Sequence, residues 1–521
     1  MTALAPAKID AFTTLQVSAL SSAQAAALTD GTVASFSTAQ LTAIKLAAVA
    51  GLAVSALAGL SGTQLAAFKT AQIAGFGTGQ IASLSAAAVG ALTTAQLDAL
   101  TTPQVASLSS SLVAAFAPTQ IAAFSPNGIA GLVVAGTSAW STTQLAALAP
   151  SQVSALGSDN LGALGADQFG ALSANQLKAL NQAQGAALST DVIASLSSAQ
   201  IATLSSAAVG GLSSSAVAGL GNNQLAALGT AQMGALGASQ VAVLSTSQLT
   251  SLSSLQLSSL SSAGSAGLDL GAVTGQVGWL TSVQFAGFTS EQVATLSSAA
   301  VTELNSSQLS ALRANAIAGL DAAGVAGLGS RVSALSAVQM GGLTAAQVAG
   351  IAPGSLAALS TGQIGALSYG GTRGLTTAQL GALSTAQVAA LTARQLLALG
   401  SQQVAAFSPA QVGALTASQT TLLSAAQFAA LGTSQIAALT ARDAAALASD
   451  QVAGFSTDDI GALSVAAFDA LGTAAVGAFT TDQLAAVTTA QLVGLRNQQS
   501  NAFTRTQLYE MKPAQLSALF G

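Results

Sequence analysis

The stretch from Leu375 to Leu399 reads LTTAQLGALSTAQVAALTARQLLAL and repeats one eight-residue phrase three times. In each phrase a leucine is followed by a small hydroxyl residue, a glutamine, an aliphatic residue and the next leucine. We label the leucine position a and its successors b to h, which places Gln379, Gln387 and Gln395 at position e. The fold of the chain depends on which backbone this octad prefers and how far the octad extends.

The octad extends along almost the entire chain of 521 residues. From Leu4, position a recurs at every eighth residue to Leu268; a twelve-residue interval then ends at Leu280, and a seven-residue step ends at Leu335. Position a is always large and apolar, position f is usually apolar, and every one of the 16 phenylalanines except Phe520 falls at a or f. This regularity indicates a repeat array rather than several unlike domains.

The two irregular steps divide the array into three predicted parts. We expect an N-terminal array in residues 1–268, an irregular connector in residues 269–335, and a C-terminal array with a more polar end in residues 336–521. The irregular steps are either tolerated slips or places where the array bends. The octad Ser368–Gly374 lacks the glutamine and is a candidate hinge or contact loop.

The octad favours a helix over a strand. The phrase QLAAL does not alternate apolar and polar residues as a strand would, and Ala, Gln and Leu are good helix formers. A hydroxyl at b followed by a glutamine at e has the spacing of a capping box, in which each side chain bonds the backbone amide of the other residue. Pro118, Pro126, Pro150, Pro353, Pro409 and Pro513 all stand at position c, which would be the first helical position, where proline is favoured.

One continuous helix does not suit this repeat, because eight residues turn through roughly 800° and displace the apolar stripe by about 80° in each octad. Breaking the helix at every b position keeps f and a on one side of a short helix. Such a helix is far below the ~12–15 residues that an isolated helix needs in water, so neighbours must stabilise it. We therefore predict an all-α solenoid of about 64 short helices, one per octad, with a β-solenoid as the alternative.

Composition excludes several classes of function. There are no cysteines and no histidines, which excludes disulfides, thiolate chemistry, zinc sites built on Cys or His, and histidine catalysis. Only 6% of the residues are charged, and the net charge of −5 gives no electrostatic reason to expect nucleic acid. The N-terminus has no basic region followed by an apolar stretch, so no cleavable signal peptide is predicted. The apolar stretch Leu46–Leu60 keeps the octad rhythm and is interpreted as repeat rather than as a membrane span.

We predict no catalytic, cofactor-binding or metal-binding residue, and we do not expect an enzyme. The charged residues are scattered mostly singly. Asp458 and Asp459 are expected to be an exposed pair in a first helical turn, where carboxylates complement the helix dipole. The serines and threonines have no histidine or convincing lysine partner, so none is a predicted nucleophile.

The repeated glutamines allow two interpretations. They are predicted to be capping-box residues and hydrogen-bond partners between coils; alternatively, they form a polar ladder that matches ice or a polysaccharide. Threonine pairs such as Thr93 and Thr94 raise the same ice-binding hypothesis, but they lack a uniform Thr-x-Thr spacing.

The octads also show a resemblance to a known class of repeats. The phrases STAQVAAL, GTSQIAAL and TTAQLDAL resemble the Ala/Ser/Thr/Gln-rich octad arrays of large exported bacterial surface proteins, which are adhesin-like or form appendages. The resemblance implies an extracellular or cell-surface location, with export that does not use a cleavable N-terminal signal peptide.

Together these observations predict a non-enzymatic structural protein that assembles with itself into an extracellular filament, tube or surface layer. Small, weakly charged side chains on the outside suit close side-by-side packing, and head-to-tail contacts that do not close produce filaments. A cell-surface anchor or a glycan is a further expected partner, whereas no cofactor, nucleic acid or transmembrane span is expected. The alternative is a monomeric solenoid scaffold or adhesin that binds a protein or glycan.

Overall fold

The computed structural model describes Lys8 and residues 11–521. Residues 11–521 form 61 α-helices and two 3₁₀-helices, and no strand occurs in this part of the chain. The predicted all-α solenoid is therefore confirmed, and the β-solenoid alternative is wrong. The chain divides into two compact units, Met1–Gly267 and Leu268–Gly521.

The α-helices of the first unit are one per octad. The first half of them are Thr14–Ser18, Ser22–Ala26, Asp30–Ser35, Thr38–Ala43, Leu46–Val49, Val54–Ala58, Gly62–Ala66, Thr70–Ala74, Thr78–Ala82, Ala86–Gly90, Thr94–Asp98, Thr102–Ala106, Ser110–Ala115, Pro118–Ile121, Pro126–Ile129 and Val134–Thr137. The second half are Thr142–Ala146, Pro150–Ala155, Ser158–Gly162, Ala166–Gly170, Ala174–Lys178, Gln182–Ala186, Thr190–Ser195, Ser198–Thr203, Ser206–Gly211, Ser214–Ala218, Asn222–Ala226, Thr230–Ala235, Ala238–Val241, Thr246–Thr250, Ser254–Ser259 and Ser262–Ser265.

The second unit contains the remaining α-helices and both 3₁₀-helices, Thr274–Trp279 and Gly329–Ala334. Its first α-helices are Ser282–Phe285, Ser290–Ala294, Ser298–Glu303, Ser306–Ala311, Ala314–Ile317, Ala322–Gly327, Ala337–Gly341, Ala345–Gly350, Pro353–Ala357, Thr361–Gly365, Tyr369–Arg373, Thr377–Ala382, Thr385–Ala389, Ala393–Ala398 and Ser401–Val404. The others are Pro409–Val412, Ala417–Thr420, Ala425–Phe428, Thr433–Ile436, Ala441–Ala444, Ser449–Ala453, Thr457–Ala462, Val465–Ala470, Thr473–Gly477, Thr481–Ala486, Thr489–Val493, Asn497–Ser500, Arg505–Glu510 and Pro513–Phe520.

Each regular helix begins at position c, and in most octads a cap at position b or a capping box stabilises this start, although Lys45 and Ala53 provide no such cap. At the start of helix Thr385–Ala389 the amide of Gln387 donates to Ser384 Oγ (3.2 Å), and the amide of Ser384 donates to Gln387 Oε1 (2.8 Å). Leu383 and Ser384 are both extended, with ψ of 145° and 158°, so the chain changes direction between two helices. All six prolines predicted at the first helical position do begin a helix.

Within each unit the helices stack in coils of three. Helix Thr361–Gly365 packs against Thr385–Ala389, which begins 24 residues later, and the same relation recurs along both units. The side chains at positions f and a point into the coil, as Leu380 and Leu383 do with exposed fractions of 0% and 4%. The core is therefore a continuous column of these residues inside each unit, while positions b, c and d lie on the outside.

Neighbouring coils approach each other so closely that some positions accept only glycine. A Cβ atom built on Gly374, at position h, would lie 2.2 Å from the backbone oxygen of Ala345 in the preceding coil. Gly454, also at position h, has more room, since the nearest backbone oxygen, that of Ala425, would lie 3.0 Å away. The small residues at the ends of the octads thus allow the coils to stack.

At each irregular step a 3₁₀-helix occupies the place that an α-helix has elsewhere in the stack. In the insertion, Asp269 Oδ1 accepts the amide of Gly271 (2.9 Å), and helix Thr274–Trp279 packs against the helix 24 residues later. In the deletion, Gly329 adopts a positive φ of 56°, which glycine tolerates best, and Arg331 Nη1 donates to Leu304 O (2.6 Å).

The octad Ser368–Gly374 is a regular member of the stack rather than a hinge or contact loop. Its residues form helix Tyr369–Arg373, and Thr372 is fully buried at position f. The Thr372 hydroxyl donates to the backbone oxygen of Ser368 (2.9 Å), which satisfies this polar group inside the core. The hypothesis of a hinge at this octad is wrong because threonine and glycine can fill these positions without breaking the helix.

Candidate functional site

The feature that recurs along the structure is a buried glutamine at position e that bonds two coils together. Gln379 is only 1% exposed, and its Oε1 accepts the amide of Thr376 (2.8 Å) at the start of its own helix. Its Nε2 donates to Val348 O (2.7 Å) and Ile351 O (2.6 Å) at the end of a helix in the preceding coil. We term this arrangement a glutamine rung.

A glutamine rung satisfies backbone groups that short helices leave unpaired at both ends. The same contacts recur at Gln411, whose Nε2 donates to Leu380 O (2.8 Å) and Leu383 O (2.6 Å), again 31 and 28 residues earlier. The interpretation of the glutamines as capping-box residues and partners between coils is therefore confirmed. A glutamine ladder matching ice or a polysaccharide is wrong for these rungs, because the amide groups are buried and already bonded.

Every glutamine rung has the same direction along the chain. The amide donors point to the preceding coil, and the carbonyl acceptors that they meet point to the following coil. Each coil therefore has one side that donates and one side that accepts. In the first described coil Gln16 and Gln24 cap their own helices through Oε1, and both side chains are exposed.

Two octads carry an aspartate where the rung glutamine stands. Asp459 is 3% exposed, and its Oδ2 accepts the amide of Ser456 (2.9 Å) and the Ser456 hydroxyl (2.6 Å). Asp443, which is 1% exposed, caps its helix from Thr440 in the same way. An ionised carboxylate has no proton to donate, so these two positions keep the cap but lack the amide that would bond the preceding coil.

Only one of the two aspartates that were expected to be an exposed pair is exposed in the structure. Asp458 at position d is exposed, as predicted, whereas Asp459 at position e is buried. The prediction was wrong for Asp459 because it considered the two residues as neighbours and not by their positions in the octad. The signal was present in the sequence, since position e is buried or half-buried wherever it carries a rung glutamine.

Two carboxyl groups have shifted pKa values, and their environments differ. The Ser298 hydroxyl donates to Asp321 Oδ2 (2.5 Å) and the Gly324 amide also donates to it (3.1 Å), which lowers the pKa of Asp321. Partial burial raises the pKa of Asp469, and the nearby charge of Arg496 opposes this shift. Asp469 Oδ1 is buried with no hydrogen-bond partner among the described residues.

The described residues contain no group of three or more Asp or Glu that could hold a metal ion. In the same part of the chain, no helix has the length and apolar character that a membrane crossing requires. One open groove of about 570 Å³ lies on the first unit. It is lined by small residues together with Asn175, Lys178, Thr203, Ser206 and Gln232, and the Lys178 ammonium is its single charged group.

Comparison with protein-family models agrees with a repeat array. Residues 73–110, 356–393, 370–401 and 452–489 match the family model described as the ALTTAQ repeat. No curated protein shows a significant match. Among solved structures, the leucine-rich repeat-containing protein LegL7 from Legionella pneumophila is 11% identical; the match covers 56% of this chain and 79% of that one, with a TM-score of 0.15.

Proposed function

We propose that this repeat protein is a non-enzymatic structural scaffold that assembles with itself into a filament or surface layer outside the cell. The observation that carries the proposal is the common direction of the glutamine rungs. Every coil offers amide donors on one side and carbonyl acceptors on the other, so two copies can stack through the same bonds that join coils within one unit. Contacts of this kind are heterologous and produce an open filament when they do not close.

The first described coil supplies the donor half of such a contact. Gln16 and Gln24 already have their Oε1 atoms in capping bonds with Thr13 and Ser21, while both side chains remain exposed. The cap orients their exposed amide groups, and in the proposed assembly these groups donate to carbonyl oxygens of a second copy. The extracellular location rests on the resemblance of the octads to those of exported bacterial surface proteins.

The test is electron microscopy and sedimentation velocity of the purified 521-residue chain at rising concentration, with no partner added. We expect filaments that lengthen with concentration. The double variant Gln16→Glu/Gln24→Glu keeps the capping oxygens but replaces the amide donors, so it should shorten the filaments strongly. The matched control is Gln402→Glu/Gln498→Glu, which makes the same charge change at exposed positions outside the capping boxes.

Two outcomes would contradict the proposal. The first is a chain that stays monodisperse at every concentration, and the second is an equal loss of filaments in the rung variant and in the control. Circular dichroism of both variants would verify that the helices are retained.

A second candidate function is a monomeric scaffold that binds a protein or a glycan. The open groove beside Lys178 favours it, because polar side chains contribute to its lining and its volume of about 570 Å³ is large enough for a small ligand. In that case the chain should remain monodisperse, and Lys178→Glu should reduce capture on a glycan array.

A further inference from the structure

Two buried carboxylates of the second unit have no positive charge to balance them. Asp443 is 1% exposed and Asp459 is 3% exposed, and neither forms an ion pair among the described residues. An ionised carboxylate is rarely buried unless a cationic side chain or a metal ion compensates it, because leaving water is unfavourable for a charge. The protein supplies hydrogen bonds to both sites but, within the described part of the chain, no counter-charge.

In Asp459 only one carboxylate oxygen is used. Its Oδ2 accepts the amide (2.9 Å) and the hydroxyl (2.6 Å) of Ser456, and its Oδ1 accepts no hydrogen bond from any described residue. The unused oxygen belongs to a side chain that is almost completely buried. It is therefore available to a positively charged ligand between the coils.

The second oxygen of Asp443 faces another acceptor. Its Oδ2 accepts the Thr440 hydroxyl (2.6 Å), whereas its Oδ1 lies 3.5 Å from the hydroxyl oxygen of Thr420, a fully buried residue of the preceding coil. This distance is long for a hydrogen bond, and the Thr420 hydroxyl lies closer to the backbone oxygen of Thr416 (3.1 Å), to which it donates. Since a hydroxyl has one proton, Thr420 presents a lone pair to Asp443. A cation can stabilise such a contact between two oxygen atoms.

Backbone oxygens that accept a rung elsewhere lack a donor opposite both aspartates. A rung glutamine donates to the carbonyl at position a, 28 residues earlier. The corresponding oxygens for Asp443 and Asp459 are Leu415 O and Leu431 O, and neither accepts a hydrogen bond from a described residue. Both leucines are buried. Each aspartate therefore has, as its counterpart in the preceding coil, a buried carbonyl oxygen that also lacks a positive partner.

Aspartate cannot close this contact by itself. It is one methylene shorter than glutamine, so an aspartate that keeps the cap holds its second oxygen back from the preceding coil. Even with a donor the reach is short: Asn160 Nδ2 donates to Leu132 O (3.0 Å), but Asn160 forms no capping bond. Two oxygen acceptors also repel each other. A positively charged bridge removes both obstacles.

We propose that Asp443 and Asp459 each bind one Na⁺ ion, which joins the carboxylate to a carbonyl oxygen of the preceding coil. Carboxylate, hydroxyl and carbonyl oxygens are the ligands that hard cations prefer. The carbonyls follow the C-terminal ends of helices Pro409–Val412 and Ala425–Phe428, where the helix dipole favours a cation. One positive charge neutralises one carboxylate, so a monovalent ion leaves no net charge in the buried place.

The two sites belong to one coil. Asp443, Gln451 and Asp459 stand at position e of three successive octads, so Gln451 forms the single glutamine rung of this coil. The Asp443 site has more oxygen ligands, because Thr420 contributes its hydroxyl where Ile436 stands in the other site. With both ions bound, this coil has three such contacts with the preceding coil. The inference goes beyond the proposed function and does not rest on self-association, since each site lies within one chain.

The test measures amide hydrogen exchange in the full chain by mass spectrometry while NaCl replaces choline chloride at a constant ionic strength of about 300 mM. The protein concentration is kept where sedimentation velocity shows single copies, so that assembly does not contribute. We expect the protection of residues 440–463 to rise with Na⁺, because an ion that binds only the closed coil stabilises it. Above the dissociation constant, each tenfold rise in Na⁺ should slow exchange about tenfold for each site that opens. Residues 376–399, which have glutamine rungs, should not respond.

The variant Asp443→Gln/Asp459→Gln replaces both ions by amide donors. It should keep the fold and lose the Na⁺ dependence of residues 440–463. The matched control is Asp450→Gln/Asp458→Gln, which makes the same charge change at exposed positions of the neighbouring octads and should respond to Na⁺ as the wild type does. Thr420→Val removes one oxygen ligand and should raise the Na⁺ concentration that the Asp443 site requires.

Several results would overturn the bound ions. An equal Na⁺ response in residues 440–463 and 376–399 would be a general effect of the salt, and a response that persists in the glutamine variant would exclude the aspartates as ligands. Absence of any Na⁺ response would do the same, and protection that rises only as the pH falls would identify a proton in place of Na⁺. Protection that responds to about 1 mM CaCl₂ but not to Na⁺ would replace the monovalent ion by a divalent one.

Discussion

Two segments of the second unit show what position e does in this fold. The glutamine segment, Leu375–Leu399, has an amide at every position e, whereas the aspartate segment, Leu439–Asp469, has Asp443 and Asp459 there. Both segments form capped helices in coils of three. Capping a helix and forming a rung to the preceding coil are therefore separate tasks: the first needs only an acceptor oxygen, and the rung needs an N–H donor.

Octads of the second unit also differ in how closely they approach the preceding coil. At position h, the virtual Cβ of Gly374 lies 2.2 Å from a backbone oxygen, whereas that of Gly454 lies 3.0 Å from one. The tighter approach occurs in an octad with Gly371 at position e, and the looser approach occurs in one where Gln451 forms a rung, so the rung does not by itself set the spacing. The comparison leads to four predictions about stability.

The largest effect is expected from removing a complete rung. Gln379→Leu removes the side-chain bonds to the amide of Thr376 and to the carbonyls of Val348 and Ile351, and the Val348 carbonyl then accepts only the amide of Ile351. We expect a loss of about 3 kcal/mol in the free energy of unfolding, measured by urea titration with circular dichroism. Thr377→Ala on the same helix is the control, and it should change the stability by less than about 0.5 kcal/mol. Equal effects would contradict the rung.

The next effect tests the coil spacing. Gly374→Ala places a methyl group against the backbone of Ala345, which must move, so we expect a loss of about 2 kcal/mol. Gly454→Ala meets its neighbour at a distance that a small shift can relieve, and the loss should be under about 1 kcal/mol. Thermal unfolding of the two variants checks the order, and a reversed order would show that the spacing does not control packing.

Restoring a rung in the aspartate segment should stabilise the protein. Asp459→Gln keeps the acceptor for Ser456, removes a buried charge and supplies the missing amide donor, so we expect a gain of about 1 kcal/mol. Asp459→Asn is the matched control. At position e, Asn160 Nδ2 does reach Leu132 O (3.0 Å), but its Oδ1 accepts the Thr137 hydroxyl and no capping bond is formed. The asparagine variant should therefore gain less than the glutamine variant.

The smallest effect concerns the pH dependence. Because burial raises the pKa of Asp469, the folded state holds the proton more tightly than the unfolded state. The stability from this group is present below the unfolded pKa and is lost as the pH rises through the folded pKa. Asp469→Asn should therefore raise the melting temperature at pH 7 by more than it does at pH 3.

Asp321→Asn should change the melting temperature at pH 7 in the opposite direction. Its pKa is lowered by the Ser298 hydroxyl, so its contribution is present above the unfolded pKa and is lost as the pH falls through the folded pKa. This variant should lower the melting temperature at pH 7 and not at low pH. The same sign of shift in both variants at pH 7 would contradict the assigned environments.

Local patterns in the sequence predicted the parts of the fold that depend on short-range contacts. Ser384 and Gln387 predicted a capped helix, and the apolar residues at f and a predicted the core column, because these contacts lie within one octad. Asp459 was missed, since its burial is visible only when it is assigned to position e. The packing of helix Tyr369–Arg373 against helix Ala393–Ala398 could not be found, because it depends on the number of helices in a coil.

The sequence by itself determined that this chain is an array of short capped helices with two buried apolar positions in most octads. Only the tertiary structure decided that three helices close one coil, and that each rung glutamine donates to carbonyls 28 and 31 residues earlier. The physical reason is that the turn between helices depends on the extended dihedral angles at positions a and b, which many small changes could alter without changing the octad. Coil closure and the spacing of charges along each face follow from those angles and from packing between distant residues.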